Sequence, residues 1–256
     1  MEKIPVSVVV ITRNEEENIT RCLQSVSSWA DEIVVVDDNS TDKTVEIARR
    51  FTDKVFSRKM DVEGAHRNYA YSLARNGWVL SLDADEMASD ELGSQLRELF
   101  KGPMNDKAYT IPIKTYIGER WIKYAGWYPA PKVRLFDKKS FRYDEVEVHP
   151  RVFIDGTCGH LKKDIVHYSY RNYHDFFESL NNQTTLEAKK WFNEKRKINF
   201  LKMYRKALSR FIKAYIQKKG FMDGLLGFAV SYAGGLYQFM SYVKYQEMVE
   251  NQKDKR

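Results

Sequence analysis

Cysteine is scarce in this chain. Its 256 residues include only Cys22 and Cys158, which lie far apart and at no spacing typical of metal ligands. A disulfide framework and a cysteine-bound metal are therefore both disfavoured. The two residues are interpreted as free thiols in a reducing compartment.

A secretory signal is also missing from the N-terminal segment. The apolar run there is too short, and no small-residue cleavage site follows it. The run at residues 6–12 is rich in β-branched residues, which is typical of a strand covered on both faces. We therefore expect a buried strand here and a protein that stays in the cytoplasm.

What the chain does contain is enough apolar material for a folded core. Apolar residues make up 43% of it and aromatic residues 14%, as in globular rather than disordered chains. There is no internal repeat and no low-complexity linker. The formal net charge of +7 is uneven, because much of the basic excess lies in the last quarter.

The first hundred residues alternate between strand and helix patterns. Strands are predicted at residues 6–12, 33–36, 54–57 and 78–83, with a helix between each pair. Asn14 is predicted to cap the first helix. The alternation predicts a parallel sheet with right-handed crossovers, in which ligands bind beyond the carboxyl ends of the strands. Thr12, Asp38 and Asp83 fall at those ends.

The last of these strands runs directly into three carboxylates, Asp83, Asp85 and Glu86, with no cation beside them in the sequence. Three neighbouring carboxylates repel one another unless a positive charge lies between them. The group therefore predicts a divalent metal ion. Asp83 and Asp85 are two positions apart, so on an extended backbone both side chains leave on the same side. Taken alone, an acidic turn or helix cap is the alternative interpretation.

Four segments, taken together, resemble a known family. SVVVITRNEEENI, IVVVDDNSTDKT, GAHRNYA and LSLDADE occur in this order, and they are similar to segments of the inverting glycosyltransferases of family 2. KVRLFDKKSFRYDEVEVHP, IVHYSY and the basic tail resemble bacterial enzymes that build lipopolysaccharide core or related surface glycans. The resemblance implies the α/β GT-A fold, with a Rossmann-like, mostly parallel central sheet flanked by helices and a C-terminal helical tail at a membrane.

The resemblance also implies a nucleotide-sugar donor, and a UDP-linked one is expected because a uracil-type base suits a carboxylate at this strand end. Asp38 would accept a hydrogen bond from the base N–H, and Thr12 would line the same pocket. Arg67 offers planar donors for the base or the diphosphate. Asp83 would hold the ribose or bridge toward the metal.

A metal site is implied at the same edge. Asp85 would bind Mn²⁺ or Mg²⁺, which neutralises the diphosphate leaving group. His167 would be a further metal ligand or would contact the diphosphate. A structural histidine is the alternative for His167.

An inverting transfer also needs a general base for the acceptor hydroxyl. Residues 144–149 alternate, so Glu145, Glu147 and His149 would share one face of a strand while the intervening valines pack on the other. We predict Glu147 as the base, with Glu145 next and Asp144 left open. The alternative is a solvated edge strand with alternating charges.

Aromatic residues near Gly126 allow two interpretations. Trp121, Trp127 and Tyr128 could form an acceptor platform, because sugars stack their apolar faces on aromatic rings. Core packing is the alternative.

The tail has a basic stretch followed by an uncharged one. Residues 195–219 hold ten Lys or Arg and no acidic residue, with apolar residues at helical spacing. This pattern is typical of a membrane-surface element, and a solvated helical face is the alternative. Residues 224–243 carry no formal charge but contain Ser, Gln and several Gly, so we predict a helix against the interface rather than across it.

These patterns predict a GT-A domain at residues 1–170, with a nucleotide-sugar half (1–100) and an acceptor half (101–170), and a helical region at 171–256. The predicted activity is metal-dependent, inverting hexosyl transfer to a glycolipid or lipopolysaccharide-type acceptor. It would take place on the inner face of the cytoplasmic membrane, with an anionic membrane surface and no nucleic acid as partner. The alternatives are a non-catalytic, membrane-associated sugar-nucleotide-binding protein and a nucleotidyltransferase. The latter needs a glycine-rich phosphate loop where this chain has Thr-Arg-Asn-Glu at residues 12–15.

Overall fold

The protein is described by a computed structural model that covers residues 3–146 and 150–254. The strands are β1 (Ile4–Thr12), β2 (Ala30–Asp37), β3 (Val55–Ser57), β4 (Trp78–Asp83), β5 (Glu86–Ala88), β6 (Ala108–Ile111), β7 (Ile113–Ile117), β8 (Arg120–Trp121), β9 (Lys132–Asp137), β10 (Phe141–Tyr143), β11 (Val152–Ile154), β12 (Cys158–His160) and β13 (Ile165–Tyr170). The helices are α1 (Ile19–Ser27), α2 (Thr44–Ala48), α3 (Glu63–Ser72), α4 (Asp90–Leu99), α5 (Tyr173–Asn193), α6 (Phe200–Ile212) and α7 (Gly224–Asp254).

The chain forms two compact units. The first comprises Met1–Ile113 and Ala130–His167, and the second comprises Lys114–Pro129 and Tyr168–Arg256. The predicted domain boundary at residue 170 stays a prediction, because compactness does not test whether a segment folds by itself.

A seven-stranded sheet in the order β12-β6-β9-β4-β1-β2-β3 forms the centre of the first unit. The strands β4, β1, β2 and β3 run parallel to one another, whereas β9 is antiparallel to both β4 and β6. The predicted α/β class with a mostly parallel central sheet is therefore confirmed.

Both faces of this sheet are covered, which explains the unbroken apolar run in β1. Val8 and Val10 pack on one side with Leu23 of α1. Val9 points to the other side and packs in a second cluster with Tyr71 of α3. Because successive side chains of a strand leave on opposite faces, a strand buried between two helical layers needs apolar residues at every position.

The loop after β1 differs from the predicted helix cap. Helix α1 begins at Ile19 and is preceded by Asn18, so the prediction that Asn14 caps it is wrong. Asn14 has a left-handed φ of 52°. Its side-chain oxygen accepts a hydrogen bond from the backbone N–H of Thr41 at 2.8 Å. This contact ties the loop after β1 to the loop after β2.

The strand β5 follows the acidic turn and pairs with the first half of β13 in antiparallel fashion. In this register His167 lies opposite Glu86. A strand far along the chain is thereby placed beside the end of β4.

The second unit is mainly helical, with a hairpin of β7 and β8. Helix α7 packs against both α5 and α6. Gly235 allows a close approach, because a Cβ at this position would lie 3.0 Å from the carbonyl oxygen of Ala207 in α6. Among the described residues, no helix combines the length and apolar character needed to cross a bilayer.

The three aromatic residues near Gly126 have aromatic packing partners in this unit. Trp127 packs against Phe176 in the helical core, as core packing predicts. Trp121 makes an edge-to-face contact with Tyr128 at 5.2 Å between ring centroids.

Candidate active site

The carboxyl ends of β1, β2 and β4 lie side by side. Thr12 is in register with Asp37, and Ile11 with Asp83. The ladder continues for one residue beyond the strands, since the N–H of Asp38 donates to the carbonyl of Thr12 at 2.8 Å. The structure thus brings Thr12, Asp38 and Asp83 to one edge of the sheet.

Asp38 is buried, and each of its carboxylate oxygens has one partner and can accept a further hydrogen bond. One carboxylate oxygen accepts from the backbone N–H of Met60 at 2.8 Å, and the other lies 3.1 Å from a guanidinium nitrogen of Arg13. Beside it, the hydroxyl oxygen of Thr12 is buried and has no hydrogen-bond partner among the described residues. A buried hydroxyl without a partner is costly unless a ligand satisfies it.

His66 is a buried residue that the sequence analysis missed. It lies on α3, is fully buried, and neither ring nitrogen has a hydrogen-bond partner within the described part of the chain. Burial and the nearby positive charge of Arg58 lower the pKa of His66 below its ordinary value. The ring is therefore neutral at pH 7, with one N–H to donate and one nitrogen to accept.

Asp83 is held by two arginines. Its carboxylate oxygens lie 3.1 Å from a guanidinium nitrogen of Arg67 and 2.8 Å from one of Arg134. Burial alone would raise the pKa of Asp83, but the charges of Arg134 and Arg67 outweigh it and hold the pKa well below its ordinary value. Arg67 also bonds Glu63, one turn earlier on α3, at 2.9 Å.

Arg134 also contacts Glu86. Both side chains are buried, and the guanidinium donates to the Glu86 carboxylate. The other oxygen of Glu86 accepts from the backbone N–H of Asp83 at 3.0 Å. Arg134 lies on β9, and nothing near Asp83 in the sequence indicates it. The only sequence signal is that Arg134 interrupts an apolar strand within the KVRLF segment.

Asp85 faces a different partner from Asp83. Because β4 ends at Asp83 and the chain turns at residues 84–85, the prediction that both carboxylates leave one extended strand on the same side is wrong. A carboxylate oxygen of Asp85 lies 3.0 Å from Nε2 of His167. Burial alone would lower the pKa of His167, but the hydrogen bond to Asp85 and its charge outweigh burial and raise it.

The Asp85–His167 pair fits a divalent metal in chemical terms. A carboxylate oxygen and an imidazole nitrogen that converge within 3.0 Å are suitable ligands for Mn²⁺. Among the described residues, no group of three or more acidic, histidine or cysteine side chains is arranged around one point. A metal here would therefore take its remaining ligands from a substrate, as Mg²⁺ does when phosphates complete its coordination.

A cavity of about 490 Å³ opens beside Asp83. It is lined by charged and aromatic groups from α3, β4, β9 and the segment around β10, among them Glu63, Arg67, Asp83, Lys132, Arg134 and Tyr143. Burial and the neighbouring Tyr71 raise the pKa of Tyr143 to about 12, so its phenol stays protonated at neutral pH. The cavity combines fixed cations with hydrogen-bond donors, as a phosphorylated ligand requires.

The segment predicted to hold the base is only partly described. Strand β10 ends at Tyr143, so no strand extends over residues 144–146, and the expected packing of Val146 is wrong because that side chain is exposed. Glu145 is exposed as well. Asp144 accepts from the N–H of Arg151 at 2.6 Å. Glu147 lies outside the described residues.

Helix α3 positions this segment. The side chain of Asn68 bonds both backbone groups of Tyr143, at 2.9 and 3.0 Å. Gly64 permits the approach, because a Cβ there would lie 1.9 Å from the carbonyl oxygen of Asp144. The GAHRN segment therefore supplies a close contact, a buried imidazole, a carboxylate-binding guanidinium and a backbone clamp.

The fold and this edge define the class. A mostly parallel α/β sheet with carboxylates and cations at its carboxyl edge agrees with the GT-A-like architecture expected from the sequence. Residues 7–168 match the family model described as "Glycosyl transferase family 2", which spans well over half of the chain. The chain belongs to this family and is a glycosyltransferase, in agreement with the sequence-based prediction.

Relatives of similar length support this assignment. An uncharacterized glycosyltransferase of Rickettsia typhi is 29% identical, over 97% of this chain and 88% of the relative. The "Lipopolysaccharide core biosynthesis glycosyltransferase LpsC" of Rhizobium meliloti is 24% identical, over 94% of this chain and 92% of the relative.

A similar solved structure is that of S. aureus TarS residues 1–349 in complex with UDP-GlcNAc. It is 16% identical, with a TM-score of 0.45, and the match covers 94% of this chain and 92% of that chain.

Proposed function

We propose that the protein transfers a sugar, with inversion, from a uridine-diphosphate sugar to a glycolipid or lipopolysaccharide-type acceptor, and that a divalent metal assists. The observation that carries the proposal is the convergence of Asp38, Asp83 and the Asp85–His167 pair at one edge of the sheet. The name of the Rhizobium relative supports the choice of a lipopolysaccharide-type acceptor.

The donor's base would occupy the pocket at Thr12 and Asp38. The Asp38 carboxylate accepts from a base N–H. The Thr12 hydroxyl, which has no partner among the described residues, provides a further hydrogen bond. A site built to pair with a polar group rejects analogues that lack it, because its own buried groups are then left unsatisfied. This pocket would therefore select the nucleotide.

The diphosphate would lie between Asp85 and the cationic cavity. A metal bound by Asp85 and His167 would supply positive charge to the departing nucleoside diphosphate. Arg67 and Lys132 line the cavity and would orient the phosphate oxygens. Because these groups are fixed in advance, they stabilise the leaving group without reorganisation.

The acceptor hydroxyl would be deprotonated by a carboxylate of the segment that follows β10. Glu147 remains the first candidate and Glu145 the second. The acceptor oxygen attacks the anomeric carbon on the face opposite the leaving diphosphate, so the product has inverted configuration. The base takes the hydroxyl proton as the new bond forms.

Membrane association is part of the proposal, since a glycolipid acceptor lies in a bilayer. In the second unit, a row of apolar side chains is exposed on each of the adjacent helices α6 and α7. Each of these side chains is between 42% and 75% exposed: Phe200, Tyr204, Leu208, Ile212, Leu225, Phe228, Tyr232, Phe239 and Val243. The helices are antiparallel, since Phe200 lies near Tyr242 and Phe211 near Phe228. Exposed apolar rows beside an acid-free basic stretch suit an anionic bilayer surface on the inner face of the cytoplasmic membrane.

The catalytic part is tested by a donor screen with Mn²⁺ and membrane lipid extract, scored by release of nucleoside diphosphate. Asp85→Asn should abolish turnover and the Mn²⁺ dependence of donor binding, whereas Asp90→Asn, at the exposed start of α4, should leave both unchanged. Full turnover in Asp85→Asn would remove Asp85 from the reaction and with it the proposed metal site.

The membrane part is tested by co-sedimentation with vesicles of phosphatidylcholine and phosphatidylglycerol. The double variant Leu208→Glu with Ile212→Glu should no longer sediment with the vesicles, because it introduces two negative charges into the apolar row of α6. Leu186→Glu on α5 is the control, since Leu186 is 64% exposed and lies outside both rows. Equal sedimentation of all three proteins would contradict the membrane role of this face.

A further inference from the structure

Two adjoining cavities lie in the second unit, where α5 connects to α6. One has a volume of about 420 Å³ and the other about 250 Å³. They share Arg196, Lys197 and Ile198 as lining residues. The first extends to Tyr245 of α7 and the second to Gln238 of α7.

The charge of the lining is entirely positive. Among the described residues, five basic ones and no acidic one line the two cavities; the basic ones are Lys195, Arg196, Lys197, Lys202 and Lys206. Arg196 is paired with Glu194 at 2.5 Å, whereas Lys202 and Lys206 have no acidic side chain within ion-pair distance in the described part of the chain. The nearby Glu187 is engaged by the indole N–H of Trp191 at 2.7 Å.

The electrostatics of Lys206 reflect this excess. Burial and the charges of Arg210 and Arg196 lower its pKa below the ordinary value. The charge of Glu187 acts in the opposite direction but does not outweigh them. Like charges in excess of their counterions favour binding of an anion, which reduces their mutual repulsion.

Gln238 adds a second requirement. Its side chain is 1% exposed, and its carbonyl oxygen has no hydrogen-bond partner among the described residues. A buried acceptor without a partner is satisfied by a hydrogen-bond donor. A phosphate diester has no such donor, whereas a hydroxyl group does. The floor of the site is apolar and aromatic, with Trp191 and Met203.

We propose that these cavities bind a phosphate group that carries neighbouring hydroxyls, as in a glycerophosphate. Lys202 and Lys206 hold the phosphate, and Gln238 accepts from a hydroxyl. The ligand is either the headgroup of a membrane lipid or a soluble phosphate ester. In the lipid case the site rests on the proposed membrane association and makes it headgroup-selective.

The test uses the full chain and two charge-matched double variants. Lys202→Gln with Lys206→Gln changes the site, whereas Arg205→Gln with Lys213→Gln removes the same charge from positions that do not line the cavities. Binding is measured to vesicles of phosphatidylcholine that contain phosphatidylglycerol or phosphatidylserine at equal mole fraction, and to soluble glycerol 1-phosphate by calorimetry.

A lipid headgroup is indicated if the unaltered protein prefers the phosphatidylglycerol vesicles and its affinity for them falls about tenfold in the site variant only. Site-dependent binding of glycerol 1-phosphate without a preference between the vesicles indicates a soluble ligand. Both results support the site. If both double variants bind the vesicles equally more weakly and no glycerol 1-phosphate binding is detected, the proposed phosphate site is overturned. The proposed membrane association would stay unaffected.

Gln238→Met tests the hydroxyl contact separately, because methionine keeps the volume and removes the acceptor. This variant should weaken glycerol 1-phosphate binding while leaving inorganic phosphate binding unchanged. Equal effects on the two ligands would exclude the hydroxyl contact.

Discussion

The Asp83 carboxylate accepts a hydrogen bond from the Arg134 guanidinium at 2.8 Å, although 51 positions separate the two residues in the chain. The contact exists because β9 inserts between β4 and β6 in antiparallel orientation. It places a buried cation beside the acidic turn. The charge that the acidic segment requires is therefore supplied in part by the protein itself.

Arg134 should be essential for stability. Arg134→Met removes the only buried cation that contacts both Asp83 and Glu86 among the described residues, so two buried carboxylates lose a partner. Breaking a buried ion pair from one side costs about 3–5 kcal/mol. Urea unfolding at pH 7 should show a loss of this size, whereas Arg142→Met, an exposed arginine on β10, should lose about 0.5 kcal/mol or less. A loss below about 1 kcal/mol for Arg134→Met would contradict the ion-pair network.

Asp38 should control nucleotide affinity. Asp38→Asn keeps the shape of the side chain but replaces one acceptor oxygen with a donor, which would face the N–H of the base. We expect UDP affinity to fall about 10- to 100-fold, with a smaller effect on folding. Calorimetric titration with UDP measures this change, and Asp53→Asn, at an exposed position before β3, serves as the control. Unaltered UDP affinity in Asp38→Asn would show that the base does not bind at Asp38.

Gly64 should be intolerant of even a methyl group. Alanine is favoured over glycine within a helix by about 1 kcal/mol, but the added Cβ would overlap the carbonyl oxygen of Asp144 at 1.9 Å. The segment after β10 must then shift away from α3. We expect turnover to fall at least about tenfold, since the proposed base lies in that segment. In Gly77→Ala, where a Cβ meets nothing within 4 Å, turnover should be normal.

Glu32 should make folding stability depend on pH. Burial alone would raise its pKa, but Lys54, the hydroxyl of Ser7 and the N–H of Arg75 outweigh burial and lower it below the ordinary value of 4.5. The ionised form is thus favoured in the folded protein. Its contribution is fully present above pH 4.5 and is lost as the pH falls through the folded-state pKa.

Glu32→Gln measures this contribution directly. The variant should be less stable than the unaltered protein by about 2 kcal/mol at pH 7, and the difference should shrink in acid. Glu46→Gln, which breaks an exposed pair with Arg50, should change stability by less than about 1 kcal/mol at either pH. A difference for Glu32→Gln that grows as the pH falls would have the wrong sign for a lowered pKa.

Local patterns predicted much of the first unit correctly. The β-branched run at residues 6–12 was sufficient to predict the buried strand β1, because such a run fits a strand that is covered on both faces. Parallel strands joined by helices then place their carboxyl ends at one edge. That rule alone predicts that Thr12, Asp38 and Asp83 lie together.

These local patterns did not predict contacts between distant parts of the chain. The turn after Asp83 separated two carboxylates that strand alternation had placed on one side, and Asn14 bonded Thr41 rather than a helix end. The lack of strand structure over residues 144–146 was equally hidden, because alternation of charged and apolar residues does not ensure a pairing partner.

The amino-acid sequence by itself determined the family, the parallel sheet and the edge at which the carboxylates gather. Each of these follows from patterns within a few residues. Tertiary structure alone decided which cations neutralise those carboxylates. It also decided that His66 is buried with no hydrogen-bond partner among the described residues, and that Lys202, Lys206 and Gln238 line one cavity. The reason is physical: ion pairs and cavities depend on distances in space, and these are set by the packing of elements that lie far apart along the chain.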